Sequence, residues 1–147
     1  MIYTTLTCKA MKLAYAAHHG QLDKSDVPYI FHPFHLAEQM TDEYSACTAL
    51  LHDVIEDTDV TVNELENEFP QEVISAVKLL THDKNVDYFD YIKAIKNNDI
   101  AKAVKLADLR HNSDVSRFLD DKTRNSEKTL QRLKKYSKAI ELLTENF

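Results

Sequence analysis

The segment Ala49 to Asp59, ALLHDVIEDTD, runs apolar and then sets His52, Asp53, Glu56 and Asp57 around Val54 and Ile55. On a helix turning about 100° per residue, His52, Glu56, Ala49, Asp53 and Asp57 fall in that order across an arc of roughly 140°. Leu50, Val54, Leu51 and Ile55 fill the opposite side, so the pattern predicts an amphipathic helix from about Glu43 to Asp57. The ordinary place for such a face is in water. Two features count against that here. Solvated faces mix cations among their anions, whereas this one carries three carboxylates and no lysine or arginine. Exposed carboxylates at i and i+4, as at Asp53 and Asp57, also repel by a few tenths of a kcal/mol. Something positive should compensate, and an imidazole beside a carboxylate is a ligand set for a divalent metal.

The rest of the chain carries the same helical period. A first helix is expected over residues 5 to 19, stopped by Gly20, followed by a polar loop from Gln21 to His32. Pro33 can open a second helix. Thr61 and Glu64 have the spacing of a capping box for a short helix ending near Phe69, and Pro70 starts another with Val73, Ile74, Val77 and Leu80 on one face. Two more are predicted from Asp87 to Asn97 and from Ile100 to Arg110. After a polar segment, a last helix runs from about Ser126 to Glu145, with Leu130, Leu133, Ala139, Ile140 and Leu143 inward. The fold class is all-α, with about eight helices in one domain over residues 1–147.

Composition agrees. A domain of 147 residues can bury a sizeable core. One glycine is too few for a fold built on hairpin turns. The formal charge of −6 disfavours a nucleic-acid polymer or an anionic membrane as partner, while leaving room for a small phosphorylated ligand held by local cations. Cys8 and Cys47, with no CxxC, point to a reducing cytoplasm rather than a disulfide framework. The N-terminus does not read as a signal peptide, because Lys9 and Lys12 interrupt its apolar residues. No run approaches the ~20 apolar residues of a membrane span. Nothing in the pattern signals an oligomeric state.

Other candidates are scattered. His32 precedes Pro33 and can project into a cleft, whereas His35 reads equally as a partly exposed helix residue. Asp108 and Asn112 share a helix face, with Lys105 placed to form an ion pair with Asp108. His18, His19 and His82 read as surface or helix-end residues.

Taken together, AHHGQLDKSDVPYIFHP, ALLHDVIEDT and AVKLADLRHN resemble three blocks of the HD-superfamily phosphohydrolases. The resemblance is to the (p)ppGpp hydrolase domain of Rel/Spo enzymes and to the small stand-alone alarmone hydrolases, and the blocks occur in that family's order. It implies an HD-domain helical bundle that binds one divalent ion, usually Mn²⁺, through His32, His52, Asp53 and Asp108. Glu56 and Asp57 match the family's catalytic pair, serving a metal-polarised water. Lys24, Lys84, Asn112, Arg132 and Tyr136 match positions that hold the nucleotide, although lysines on a charged surface are commonplace. The implied activity is guanosine-3′,5′-bis(diphosphate) 3′-pyrophosphohydrolase, with hydrolysis of another nucleotide or phosphoester as the alternative and a non-catalytic nucleotide-binding module as a third reading. One departure stands out: Asp23-Lys24 replaces the family's Arg-Lys, exchanging a cation for an anion in the substrate loop. At 147 residues, neither an alarmone synthetase nor a regulatory domain is expected.

Overall fold

Between Ser45 and Leu51 every residue is buried. A run of small side chains, Ala46, Cys47, Thr48 and Ala49, followed by Leu50 and Leu51, allows neighbours to approach from all sides, which suits the segment to the centre of a helical core. The computed structural model of the protein describes residues 1–145. This central helix, α3 (Glu43–Leu51), is started by Asp42, whose side chain accepts the Ser45 amide. Around it pack α1 (Thr5–Ala17), α2 (Phe31–Glu38), α6 (Gln71–Leu80) and α8 (Asp99–Asn112). A second layer comprises α7 (Tyr88–Ile95) and α10 (Glu127–Thr144), with α10 lying on α7 and α8. Short helices α4 (Val54–Asp57), α5 (Val62–Glu66) and α9 (Asp121–Arg124) and a 3₁₀ turn at Val115–Arg117 complete the chain. Among the described residues there is no β-strand, only an isolated bridge between Leu22 and Pro28.

The all-α expectation holds, with four local corrections. The helix expected from Glu43 to Asp57 is broken at His52 and Asp53, where Asp53 takes φ −108° and ψ 0°. The imidazole of His52 turns back onto the Ala49 carbonyl, 2.7 Å away, at the end of α3. Helix α2 starts two residues before Pro33, because a helix leaves its first four N–H groups without internal partners and proline tolerates that position. The polar segment before α10 contains the 3₁₀ turn and α9, each opened by an aspartate cap, Asp114 and Asp120. Helix α9 and the break raise the count from about eight to ten α-helices among the described residues, the 3₁₀ turn being counted apart. Finally, Leu130 faces solvent at 55% exposure, while Ala139 and Leu143 are buried; α10 touches the core mainly through its C-terminal half.

The capping box is present as read: Glu64 donates its amide to Thr61 Oγ1 at 3.3 Å, and Thr61 donates its own to Glu64 Oε2 at 3.0 Å. Cys8 and Cys47 are both free. Truncating Leu143 to alanine should cost about 2–5 kcal/mol in urea unfolding, because its side chain leaves a cavity. Leu130→Ala should stay within about 0.5 kcal/mol of the parent.

Candidate metal centre and active site

The break in α3 turns two adjacent residues toward one point. His52 caps the C-terminus of α3 and Asp53 opens α4. From α2 comes His32, and from the buried face of α8 comes Asp108. Their polar atoms converge. His32 Nε2 lies 2.9 Å from Asp108 Oδ1, and His52 Nε2 lies 3.0 Å from Asp53 Oδ2 and 3.7 Å from Asp108 Oδ1. One ligand atom each from His32, His52 and Asp53 falls within 4.8 Å of the others, close enough to share one cation.

The donor set fits a divalent ion. His52 Nδ1 donates to the Ala49 carbonyl, so in the neutral ring the lone pair is on Nε2, a buried atom with no aligned hydrogen-bond partner among the described residues. Two imidazoles and two carboxylates form a mixed nitrogen and oxygen site. Burial opposes charge on His52, but Asp53 and Asp108 outweigh it and hold its pKa well above the ordinary histidine value. Burial likewise opposes charge on Asp108, yet Lys105, His32 and His52 keep its carboxyl well below the usual range. A cation entering there replaces positive charge that the carboxylates already attract.

A second ring of contacts orients these groups. The Tyr29 hydroxyl donates to Asp53. Lys105 Nζ reaches Asp108 Oδ2 at 2.8 Å, and Asn112 Nδ2 donates to Oδ1 at 2.9 Å. The ion pair weighed against a metal role for Asp108 therefore exists alongside the imidazole contacts, because the two carboxylate oxygens face different partners. His111 Nδ1 is 2.7 Å from His32 Nδ1. His111 has its pKa pushed down to about 4 by burial and by Arg117, His32 and His35 around it. Tyr29 and His111 were not singled out in the sequence, although a signal exists: each lies three residues from a candidate ligand, His32 and Asp108 respectively. His18 corrects the surface reading. It does end a helix, but it is 2% exposed, with Nδ1 2.8 Å from Gln21 Oε1 and its ring against Tyr29. His19 is exposed, and His35 is an exposed helix residue whose ring lies 4.3 Å from that of His111.

Glu56 and Asp57 lie one turn beyond the centre. Asp53, Glu56 and Asp57 form a second group with carboxylate oxygens within 4.8 Å of one another. Glu56 accepts the His82 amide at 2.7 Å, which tethers it to the segment after α6. Among the described residues no such donor meets the Asp57 carboxylate, and burial with the nearby Asp53 and Glu56 charges pushes its pKa up to about 6.

Beside His32 opens a cavity of about 460 Å³ lined by Lys24, Tyr29, Asn112, Arg132 and Tyr136 among others. Four of the five expected nucleotide-holding residues thus share one wall system. Lys84 is not among the lining residues; it is exposed between α6 and α7. Arg117 was missed and also lines the cavity. Lys24 has its pKa lowered by burial and then by Arg132, Lys128, Arg117 and Lys135, so this end of the cavity gathers cations on a chain of net negative charge. The anion at Asp23 is not free. Its Oδ1 accepts the Ser25 and Val27 amides, and its Oδ2 lies 3.3 Å from Arg117 Nη2. The loop is further tied across by Ser25 Oγ, which donates to the Arg117 carbonyl at 2.8 Å.

Replacing Lys105 with methionine removes the cation from a buried carboxylate. It should lower stability by about 3–5 kcal/mol in urea unfolding with chelator present.

The HD domain family matches residues 10–115. The chain is 34% identical over 128 residues to a guanosine-3′,5′-bis(diphosphate) 3′-pyrophosphohydrolase of Borreliella burgdorferi, across 76% of this chain and 19% of that protein. It is 36% identical over 113 residues to the mouse guanosine-3′,5′-bis(diphosphate) 3′-pyrophosphohydrolase MESH1, covering 67% of this chain and 63% of the relative. It therefore spans about a fifth of the first relative and under two thirds of the second. A solved structure described as a metazoan ortholog of SpoT that hydrolyses ppGpp superposes with a TM-score of 0.77 at 24% identity, over 98% of this chain and 88% of that one. The family match covers the α1 to α8 core that carries all four converging groups, and the chain belongs to the HD-domain family.

Proposed function

We propose that the chain is a single HD phosphohydrolase domain that removes the 3′-pyrophosphate from (p)ppGpp, using Mn²⁺ held by His32, His52, Asp53 and Asp108. The observation that carries this reading is the convergence of those four side chains beside a cavity rich in cations. The named activities of the Borreliella and mouse relatives support the choice of substrate. A divalent ion at this centre supplies Lewis-acid polarisation and lowers the pKa of water toward neutrality.

The chain's own residues do the rest. Asp57, whose pKa is raised to about 6, takes a proton from the attacking water, and Glu56, tethered through the His82 amide, orients that water. The water oxygen bonds to the phosphorus carried by the ribose 3′ oxygen, that P–O bond breaks, and the 3′ oxygen takes up a proton as pyrophosphate leaves. Lys24 and Arg132 hold the phosphates, and Tyr136 and Asn112 position the sugar and base. Lys84, outside the cavity lining, would act only at its approach. Two free cysteines fit a reducing cytoplasm as the setting.

A second reading, hydrolysis of a different nucleotide or phosphoester, rests on Asp23. Its ion pair with Arg117 weakens that reading, because the anion is compensated and the guanidinium opposite lines the same cavity. On the leading reading Asp23→Arg therefore places two guanidinium groups together and raises KM for ppGpp; a gain of activity on ppGpp in that variant favours the alternative. Calorimetric binding of ppGpp without turnover in any divalent metal favours a non-catalytic module.

Mn²⁺-supplemented turnover on a panel of guanosine and adenosine phosphates tests the proposal directly. Pyrophosphate should appear from ppGpp and vanish in Asp53→Ala; a metal-loaded protein that leaves ppGpp intact removes the assignment. Protonation of Asp57 abolishes its function as a base, so kcat/KM should fall as pH drops through about 6 or below, since a bound cation shifts the limb downward. Asp57→Asn should lose that limb along with about 10²–10⁴-fold in rate.

A further inference from the structure

His32 and His52 solve the same problem in different ways. A neutral imidazole that ligates through Nε2 must carry its proton on Nδ1, and the partner of that proton fixes both tautomer and ring orientation. For His52 the partner is the Ala49 carbonyl. Around His32 Nδ1 the hydrogen-bonding group is another imidazole, His111.

The ring geometry shows what kind of contact this is. The two ring planes lie within 10° of each other with centres 4.9 Å apart. The Nδ1 atoms are only 2.7 Å apart, well inside the roughly 3.5 Å at which stacked faces meet. The rings are therefore nearly coplanar and meet edge to edge, which aims one nitrogen's proton at the other's lone pair. A single proton occupies that line: two would collide, and none would leave facing lone pairs. Once His32 Nε2 ligates a cation, the proton on this line belongs to His32, and His111 Nδ1 accepts it.

We propose that His111 is a positioning residue of the metal centre, its bare Nδ1 accepting the His32 Nδ1 proton and so presenting His32 Nε2 to the cation. It touches neither substrate nor water in this role. Its place on α8 serves the purpose, because Asp108 lies one turn earlier on the same helix. One helix thus delivers a carboxylate to one edge of the His32 ring, at 2.9 Å from Nε2, and an acceptor to the other. Arg117 Nη1 donates to the His111 carbonyl at 3.0 Å, holding the end of α8 in register.

The inference rests on the proposed ligand set but not on any substrate, so its test needs none. Mn²⁺ affinity is measured by titration on the full chain for the parent, His111→Asn and His111→Leu. The asparagine Oδ1 can occupy the place of Nδ1 as an acceptor, whereas leucine fills the space without one. His111→Leu should bind Mn²⁺ about 10–100-fold more weakly, with His111→Asn remaining near the parent. In the Zn²⁺-loaded parent, nitrogen-15 NMR should find His32 protonated at Nδ1, and circular dichroism should show both variants folded. Parent-like affinity in His111→Leu overturns the inference, and so does an equal loss in both folded variants, which would assign the effect to ring packing. A His32 protonated at Nε2 in the loaded protein overturns it as well, even should a variant fail to fold. A parent protein that binds no divalent ion instead removes the ligand set itself, a separate failure.

Discussion

A carboxylate buried at the centre of a helical core constrains everything around it. Asp108 is 5% exposed, and an ionised group in such a place is tolerated only when its charge and its lone pairs are matched. The match comes from three directions: Lys105 and Asn112 along its own helix, His32 from α2, and His52 from the end of α3. Each of those helices must arrive at a set distance, so the charge network specifies how α2, α3 and α8 are assembled as much as the surrounding leucines do. Apolar packing supplies most of the stabilisation, but it tolerates small slips that hydrogen-bonded charges do not.

The interruption of α3 follows from the same demand. On one continuous helix, His52 and Asp53 would point about 100° apart. Breaking the helix between them allows both to face the centre, and the His52 imidazole, by bonding to the Ala49 carbonyl, is oriented at the point where the helix stops. A separate short helix then starts at Val54 and ends on Glu56 and Asp57, carrying them past His52 and Asp53 toward the open side. Their exposure relative to His52 reflects this placement: the imidazole lies at the bottom of the site, and the two carboxylates lie at its rim.

Recognition and chemistry are built from different parts of the chain. The metal centre belongs to the helices of the core, whereas the cavity beside it is walled by the Gln21–Ile30 loop, the 3₁₀ turn and α10. Asp23 and Ser25 tie the loop to Arg117 across more than ninety residues of sequence. A centre built on core helices beside a wall of tied loops can keep its converging groups constant while the residues of the wall vary. The exchange of a cation for an anion at residue 23 illustrates this, since its consequence is absorbed by Arg117 on the facing wall and reaches none of the four converging groups.

Local patterns in the sequence determined the helical class, most helix positions and the capping box at Thr61, because those depend on near neighbours and on the 3.6-residue period. They also carried the identities of the candidate ligands, through short blocks whose residue types announce their chemistry. Tertiary structure alone decided the rest. The break at Asp53, the burial of His18, the exposure of Leu130 and the partnerships of Tyr29, His111 and Arg117 all depend on which helix lies opposite. An imidazole's tautomer or an aspartate's charge compensation is set by an atom that can be eighty or ninety residues away along the chain, and helical periodicity holds no record of that distance.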